Sequence, residues 1–489
     1  MRIYLDRIDR DQNNKIIATF EVDDKMVSFT ESQMPSGFEK ELIKNAIVEC
    51  EIVDGCIVNP VVLHAETQAK EEEMKTTAVR MYGKNDLRLE SFDLPQISGD
   101  EILARVVTDS ICMSSYKAAM QGKEHKRVPN NIDTNPVIIG HEFCGEIVSV
   151  GTRWQEKYKA GDKFVIQPAL CYKGSLDAPG YSYEYIGGAS QYVVIPKEVM
   201  ETDNLIKYNS DVFFKGSLSE PMSCIIGAFN ANYHTEKGSY AHKMGIKCGG
   251  KMLILAGCGP MGIGAIDYAL NGLENPPALL VVTDIDNNKL NRVKKLYKDK
   301  NVTFLSTNDR EELLKLSGEN GYDDVFVFAP VEGLVELGDS LLAEDGCLNF
   351  FAGPTDKDFS AKFNFYNAHY ASTHIVGTSG GNCDDMVRAV ELMESGKINP
   401  SVMITHIGGI DAVADTTLNL PKIEGAKKLI YNEISLPLTK IEDFEALSKN
   451  SGANASLFAG LARICRENDN IWCEEAEKYL LQNAKKMEP

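Results

Sequence analysis

The chain has 489 residues, 43% of them hydrophobic and 25% charged, with a formal net charge of −20. That length is too great for one compact core, so two or more domains are expected. The acidity weighs against nucleic acid or an anionic membrane as the main partner, yet leaves room for a local basic pocket.

The N-terminal run MRIYLDRIDRDQ has no apolar stretch of signal-peptide length. No segment reaches the roughly 18 apolar residues of a membrane helix, so a cytoplasmic protein is expected. The 12 cysteines are scattered and none forms a CxxC pair. They read as free thiols, not as a disulfide framework or a four-cysteine zinc site.

Residues 1–65 alternate in the manner of strands through IYLDRID, KIIATFEV and KMVSFTE, and predict a small β-rich domain. AETQAKEEEMK follows as a charged linker. A second β-rich stretch runs through TAVRMYG, EILARVVTDS, VIIGHEFCGEIVSVG, DKFVIQP and SQYVVIP, without long helical periodicity until about residue 221. From Lys251 the rhythm changes to strand, helix, strand, helix, reaching six strands at THIVGTS. Near-continuous apolar strands between amphipathic helices predict a parallel sheet covered on both faces, the doubly wound nucleotide fold. Segments after Gly377, ending in KKLIYNE, suffice to rejoin the earlier β-rich unit. The tail from about Ser435 is helical. The expected domains are 1–65; 76–223 with 377–432; 224–376; and 435–489.

The turn LAGCGPMG carries Gly257, Gly259, Pro260, Met261 and Gly262 between a predicted strand and a predicted helix. The first glycine would permit the tight turn, the second the approach of a pyrophosphate, and the third close helix–strand packing. Asp284 ends the next strand, 22 positions after Gly262, where a carboxylate would bond ribose hydroxyls. Ile285, Asp286 and Asn287 follow, with no arginine for a 2′-phosphate, so NAD is favoured over NADP.

Upstream, Cys112 in SICMSSYK, His141 and Glu142 in IIGHEFCGEIVSVG, and Glu220 in SLSEPMSC are all residue types that bind zinc. Either Cys112 or His141 alone reads better as a buried core side chain than as a ligand. Together with a dinucleotide turn they point to metal-assisted hydride transfer. QGKEHKRVPNN adds Lys123, His125, Lys126 and Arg127, which could border a cleft for an anionic substrate or be a solvated loop.

GHEFCGEIVSVG is similar to the zinc signature of the medium-chain dehydrogenase/reductase superfamily, the zinc alcohol dehydrogenases. The resemblance spans about residues 76–432 and includes the KAGDKF turn, GGASQYVVIP and the glycine turn. It implies an α/β chain: a GroES-like β-rich catalytic domain interrupted by a six-stranded Rossmann domain. It implies that Cys112 and His141 bind a catalytic zinc, with Glu142 a ligand or near-ligand. Glu220, in an EP motif, resembles the third ligand of the polyol/threonine branch, with Cys224 as packing. No structural-zinc lobe of four cysteines follows the GDK turn, so one zinc per chain is expected. The proton relay of the family would begin at Ser114. Its next member, usually histidine, is here Lys117, which would serve as relay, substrate or cofactor contact.

SICMSSYKAAMQG, GSLSEPMSCIIGAF, GCLNFFAGPTD and GTSGGNCDDM resemble segments of the L-sorbose 1-phosphate reductase-like subgroup. The implied activity is reversible oxidation of a polyol, plain or phosphorylated, to a ketose. A phosphate would need cationic partners, for which the charged loop offers Lys126 and Arg127 as candidate substrate contacts. A homodimer or homotetramer is implied. An L-threonine 3-dehydrogenase-like enzyme is the alternative within the branch, and a nucleotide-binding interaction protein the alternative outside enzymes.

Overall fold

The computed structural model describes all residues except 1, 11, 13–14, 23–24, 37, 39–46, 65–73, 237, 451 and 488–489. Most of the charged linker expected after residue 65 lies outside the described residues.

The N-terminal strands form a five-stranded antiparallel sheet in the order Lys25–Thr30, Ile16–Val22, Arg2–Arg10, Ile47–Val53, Cys56–His64. It has its own core of Ile3, Leu5, Ala18, Phe20, Phe29 and Val48. Arg153 ties it to the next unit, its guanidinium 3.0 Å from Glu21 and 3.2 Å from Asp100.

The second β-rich stretch builds a three-stranded sheet of Asp86–Asp93, Lys75–Gly83 and Val137–Ile138, and contributes to an eight-stranded sheet around Ile102–Ile111, which pairs with Phe143–Val150, Tyr192–Ile195 and Lys427–Tyr431. The segment after Gly377 does rejoin this unit, with Lys428 opposite Ile111. Two helices depart from the β-rich expectation, the short Lys197–Glu201 and a longer one. Helix Met113–Gln121 follows directly on the central strand. MSSYKAAMQ is rich in good helix formers, but it is short and sits between strand-like flanks, so periodicity alone does not reveal it.

The nucleotide unit is a six-stranded parallel sheet in the order Thr303–Leu305, Leu279–Thr283, Lys251–Leu255, Tyr322–Val327, Leu342–Phe350, His374–Val376. Helix Ser219–Ala231 runs unbroken across the expected boundary at 223/224. Its Met222, Ile225, Ile226 and Phe229 share one core with Met252, Ile254, Val282 and Phe326 of the sheet and with Met386 and Ala389 of helix Cys383–Glu394. This shared core holds the two units against each other.

The C-terminal helices Ala455–Glu467 and Glu474–Asn483 cover the far face of the eight-stranded sheet. Leu461, Trp472 and Leu480 pack on Ile407, Leu429 and Tyr431. The buried Glu477 carboxylate accepts from the backbone N–H of Phe213 (2.8 Å) and Phe214 (2.9 Å) and from Tyr431 Oη (2.8 Å). The helices are thus pinned by polar bonds as well as apolar contact. No described helix is long and apolar enough to cross a membrane.

Candidate active site

Three chain segments meet where the two units join. Cys112 lies between the end of the central strand and helix Met113–Gln121. His141 and Glu142 immediately precede strand Phe143–Val150. Gly140 makes the entry turn at φ +93°, and a Cβ there would lie 2.5 Å from Asp109 Oδ2 and 2.8 Å from the Ala189 nitrogen. Only glycine meets both demands. Glu220 sits in the first turn of helix Ser219–Ala231.

Among the described residues, Cys112, His141 and Glu142 form a metal-capable group whose ligand atoms lie within 4.8 Å of one another. Glu220 stands outside that group, yet its charge acts on Cys112. Burial, and then the charge of Glu142, pushes the Cys112 thiol up to about 12. The same two causes push the Glu220 carboxyl up to about 7. Burial holds the His141 imidazole down at about 4, hence neutral near pH 7. The Cys112 thiol and the Glu220 carboxyl, both raised by burial and by the charge of Glu142, make with a neutral imidazole a donor set that a cation would suit. Its soft and borderline donors suit zinc. Ser115 Oγ lies 3.3 Å from His141 Nδ1. With the ring proton on that side, Nε2 keeps its lone pair for a metal.

Glu142 is already engaged. Lys427 Nζ donates to its two oxygens at 2.6 and 2.5 Å, and Ser110 Oγ donates to Oε2. Both members of this ion pair are buried, with side chains 4% and 1% exposed. Lys427 comes from the strand that rejoins the catalytic sheet, and its ammonium is held above its usual range by the facing carboxylate in spite of burial. Sequence reasoning did not single it out. The available signal was a lysine pair opening the otherwise apolar strand KKLIY. Asp109, also not anticipated, is buried with Oδ1 lacking a partner, and burial holds its carboxyl well above the usual range.

Ser114 Oγ donates to Cys112 Sγ at 3.0 Å and lies 3.3 Å from His141 Nε2. Lys117, one turn along the same helix, donates from Nζ to the Gly353 carbonyl at 2.7 Å, just past the strand Leu342–Phe350. Cys224 is not free packing: its Sγ donates to Glu220 Oε1 at 3.3 Å. Tyr181, another residue not foreseen, tilts against the His141 ring at 4.9 Å between centroids, with its hydroxyl 3.4 Å from Nε2.

The glycine turn has the expected strand and helix on either side, with a different division of labour. The left-handed residue is Ala256, at φ +55°, not Gly257. Gly257 is needed for packing, since a Cβ would lie 2.6 Å from Val282 Cγ1. Gly259 has nothing within 4 Å of such a Cβ, so the space over the turn is open to a ligand. Gly262 packs so closely that its Cβ would lie 2.3 Å from the Gly257 carbonyl oxygen. Pro260 opens the helix Pro260–Asp267 and Met261 follows it. Asp284 braces the turn by accepting from Cys258 N and Asp286 N, each at 3.0 Å. A carboxylate has about four acceptor positions, so capacity remains for ribose hydroxyls. Asp286 caps the next helix and holds Lys289 Nζ at 3.6 Å.

Residues 98–203 match the alcohol dehydrogenase GroES-like domain family. The chain is 53% identical over 414 residues to L-sorbose 1-phosphate reductase of Klebsiella pneumoniae, covering 84% of this chain and 98% of that one. The chain belongs to the zinc-type alcohol dehydrogenase family. It is 49% identical over 419 residues to mannitol-1-phosphate 5-dehydrogenase of Aliivibrio fischeri, covering 83% of this chain and 98% of that one. The crystal structure of 2R,3R-butanediol dehydrogenase from Bacillus subtilis shares the fold, with a TM-score of 0.60 at 21% identity over 73% of this chain and 99% of that one. As a member of the zinc-type alcohol dehydrogenases the chain is an oxidoreductase that binds NAD(P) and acts on a small molecule.

Proposed function

We propose that this alcohol dehydrogenase interconverts a phosphorylated polyol and its ketose, using NAD(H) and one zinc per chain. The observation that carries the reading is the Cys112–His141–Glu142 group beside Glu220, at the junction with the nucleotide sheet. The sugar-phosphate names of the relatives near half identity support the substrate class. An L-threonine 3-dehydrogenase-like activity and a non-enzymatic role are less favoured for the same reason.

In this reading Cys112, His141 and Glu220 hold the zinc. Glu142, whose oxygens serve Lys427 and Ser110, acts as a near-ligand that moderates the local charge. Bound zinc supplies a Lewis acid that acidifies the substrate hydroxyl. NAD supplies the hydride acceptor. Ser114 Oγ, between Cys112 Sγ and His141 Nε2, is placed to relay the hydroxyl proton, releasing its own toward solvent as it receives the substrate's. Lys117, tied to the Gly353 carbonyl, orders the wall between the two units and is the next candidate for the relay. The backbone from Gly257 to Gly262, with Pro260 and Met261 opening the helix, would hold the pyrophosphate, and Asp284 the adenosine ribose. Preference for NAD follows from Asp284 and Asp286, whose charges would repel a 2′-phosphate, and from Lys289 being paired.

The units assigned are an N-terminal β domain at 1–65, a catalytic domain at 76–223 and 377–432, a nucleotide domain at 224–376 and a helical extension at 435–489. The exposed Phe365, Tyr366, Tyr370 and Ile375 on and beside the last strand of the parallel sheet favour a homodimer or homotetramer. A cytoplasmic setting accords with the free cysteines.

The test is NADH oxidation against ketoses, ketose phosphates and 2-amino-3-oxobutyrate, with metal content measured on the same sample. Ketose-phosphate reduction with one zinc per chain is expected, and Cys112→Ser should abolish turnover while NADH still binds. Full activity in metal-free protein would refute the zinc assignment.

A further inference from the structure

The loop between helix Met113–Gln121 and the metal-capable group collects the positive charges of Lys126 and Arg127. The Arg127 guanidinium sits over the Tyr181 ring, 5.4 Å from its centroid. Its Nε is buried without a hydrogen-bond partner, and the guanidinium makes no ion pair among the described residues. A buried, unsatisfied donor calls for a missing partner. Lys126 also makes no ion pair among the described residues, and Lys117 has only the Gly353 carbonyl. Burial, followed by the charges of Arg127, Lys126 and Lys117, holds the His125 imidazole below its usual range. One ring therefore feels three cations at once, in a chain with 71 acidic and 51 basic residues. Glu124, in the same loop, pairs with none of them among the described residues.

This cluster faces the active site. His125 stacks on Tyr181 at 5.7 Å, and Tyr181 in turn contacts His141 at 4.9 Å. Imidazole and guanidinium are thus no farther apart than the His141–Tyr181 and Tyr181–Arg127 separations laid end to end. The loop is anchored, not loose: Ser182 Oγ donates to the Arg127 carbonyl at 2.6 Å, and Arg127 N donates to His125 Nδ1 at 3.3 Å.

We propose that Arg127, with Lys126 and His125 beside it and Tyr181 beneath it, is the subsite that binds the phosphate monoester of the substrate. The planar guanidinium presents donors in a fork that matches two phosphate oxygens, and Tyr181 fixes its plane. A monoester carries about −1.5 to −2 charges near neutrality, enough to offset the unpaired cations. The metal-capable group would then receive the sugar's oxygen while Arg127 holds the far end, so the separation of the two selects chain length as well as charge.

The proposal rests on the sugar-phosphate reading above, and the experiment separates the two. Zinc-loaded enzyme with NAD⁺ cannot reduce a ketose, so binding of L-sorbose 1-phosphate and of L-sorbose is measured by calorimetry without turnover. The wild type should bind the phosphate more tightly. Arg127→Met should cut the ratio of the two affinities by about tenfold or more, the worth of one hydrogen bond to a charged group, and Arg127→Lys should restore part of it. A ratio unchanged in Arg127→Met, or equal binding of both ligands by the wild type, overturns the subsite. Arg127-dependent phosphate binding without NADH-driven reduction of any ketose phosphate would leave the subsite standing and remove the proposed reaction.

Discussion

Replacing Lys427 by methionine tests the electrostatic design of the site most directly. The change keeps a long apolar stem and removes the ammonium that contacts both Glu142 oxygens at 2.6 and 2.5 Å. The Glu142 side chain is 1% exposed, so water cannot replace the lost partner. Ser110 alone remains as a donor to Oε2. Breaking a buried ion pair from one side typically costs about 3–5 kcal/mol, because a charge is left buried and uncompensated. For a unit of some 150–250 residues this corresponds to a fall of about 6–20 °C in the unfolding midpoint. The Glu142→Gln/Lys427→Met double variant removes both charges and should recover most of that loss, since a neutral replacement of the whole pair is often close to isoenergetic. The assay is thermal unfolding of wild type, both single variants and the double variant, each after chelation and again with zinc. A Lys427→Met midpoint within about 2 °C of wild type, or a double variant no more stable than the worse single one, would refute the reasoning.

Asp284→Ala should weaken NADH binding and narrow the preference over NADPH; fluorescence titration with both cofactors checks this, and an unchanged preference counts against the ribose role. Glu477→Ala orphans two buried donors, at Phe214 and Tyr431, each worth about 1–3 kcal/mol, and a half-buried one at Phe213. Limited proteolysis should then release the C-terminal helices, which stay protected in the wild type. Burial, reinforced by Lys428 and Lys440, lowers the His406 imidazole to about 4. As pH falls below about 6.5 the unfolded chain takes up this proton first, so stability should decline toward pH 4 by up to about 3 kcal/mol. His406→Gln should flatten that part of an acid-unfolding curve; an identical curve would exclude His406 as a source of the sensitivity.

Much of the fold was legible because its signals are local. Apolar strands such as KMLILAG and ALLVVTDI alternate with amphipathic helices, and each period is fixed by residues a few positions apart. The glycine turn was legible for the same reason, although the structure reassigns the strained backbone to Ala256 and gives Gly257 a packing role. The helix Met113–Gln121 was missed because nine residues without strong periodicity look like a loop between strands. The resemblance of the GHE segment brought Cys112, His141 and Glu142 forward, and the structure gathers these three. Lys427 and Tyr181 carried no local mark of function. Lys427 meets Glu142 across 285 positions of sequence, and Tyr181 meets His141 across 40.

The sequence by itself determined the order of the parts: a β-rich unit, the zinc-type ligands, a dinucleotide turn with its acid, and a helical tail. Backbone preference, hydrophobic period and ligand chemistry are properties of short segments and can be read one residue at a time. Only the tertiary structure decided how the charges are shared. It set Lys427 on Glu142, left Glu220 outside the tight group, and put the half-buried Arg127 over Tyr181 with its Nε unsatisfied. Those outcomes depend on distance and desolvation between segments far apart in the chain, where electrostatic strength is set by the surroundings and not by the identity of either partner.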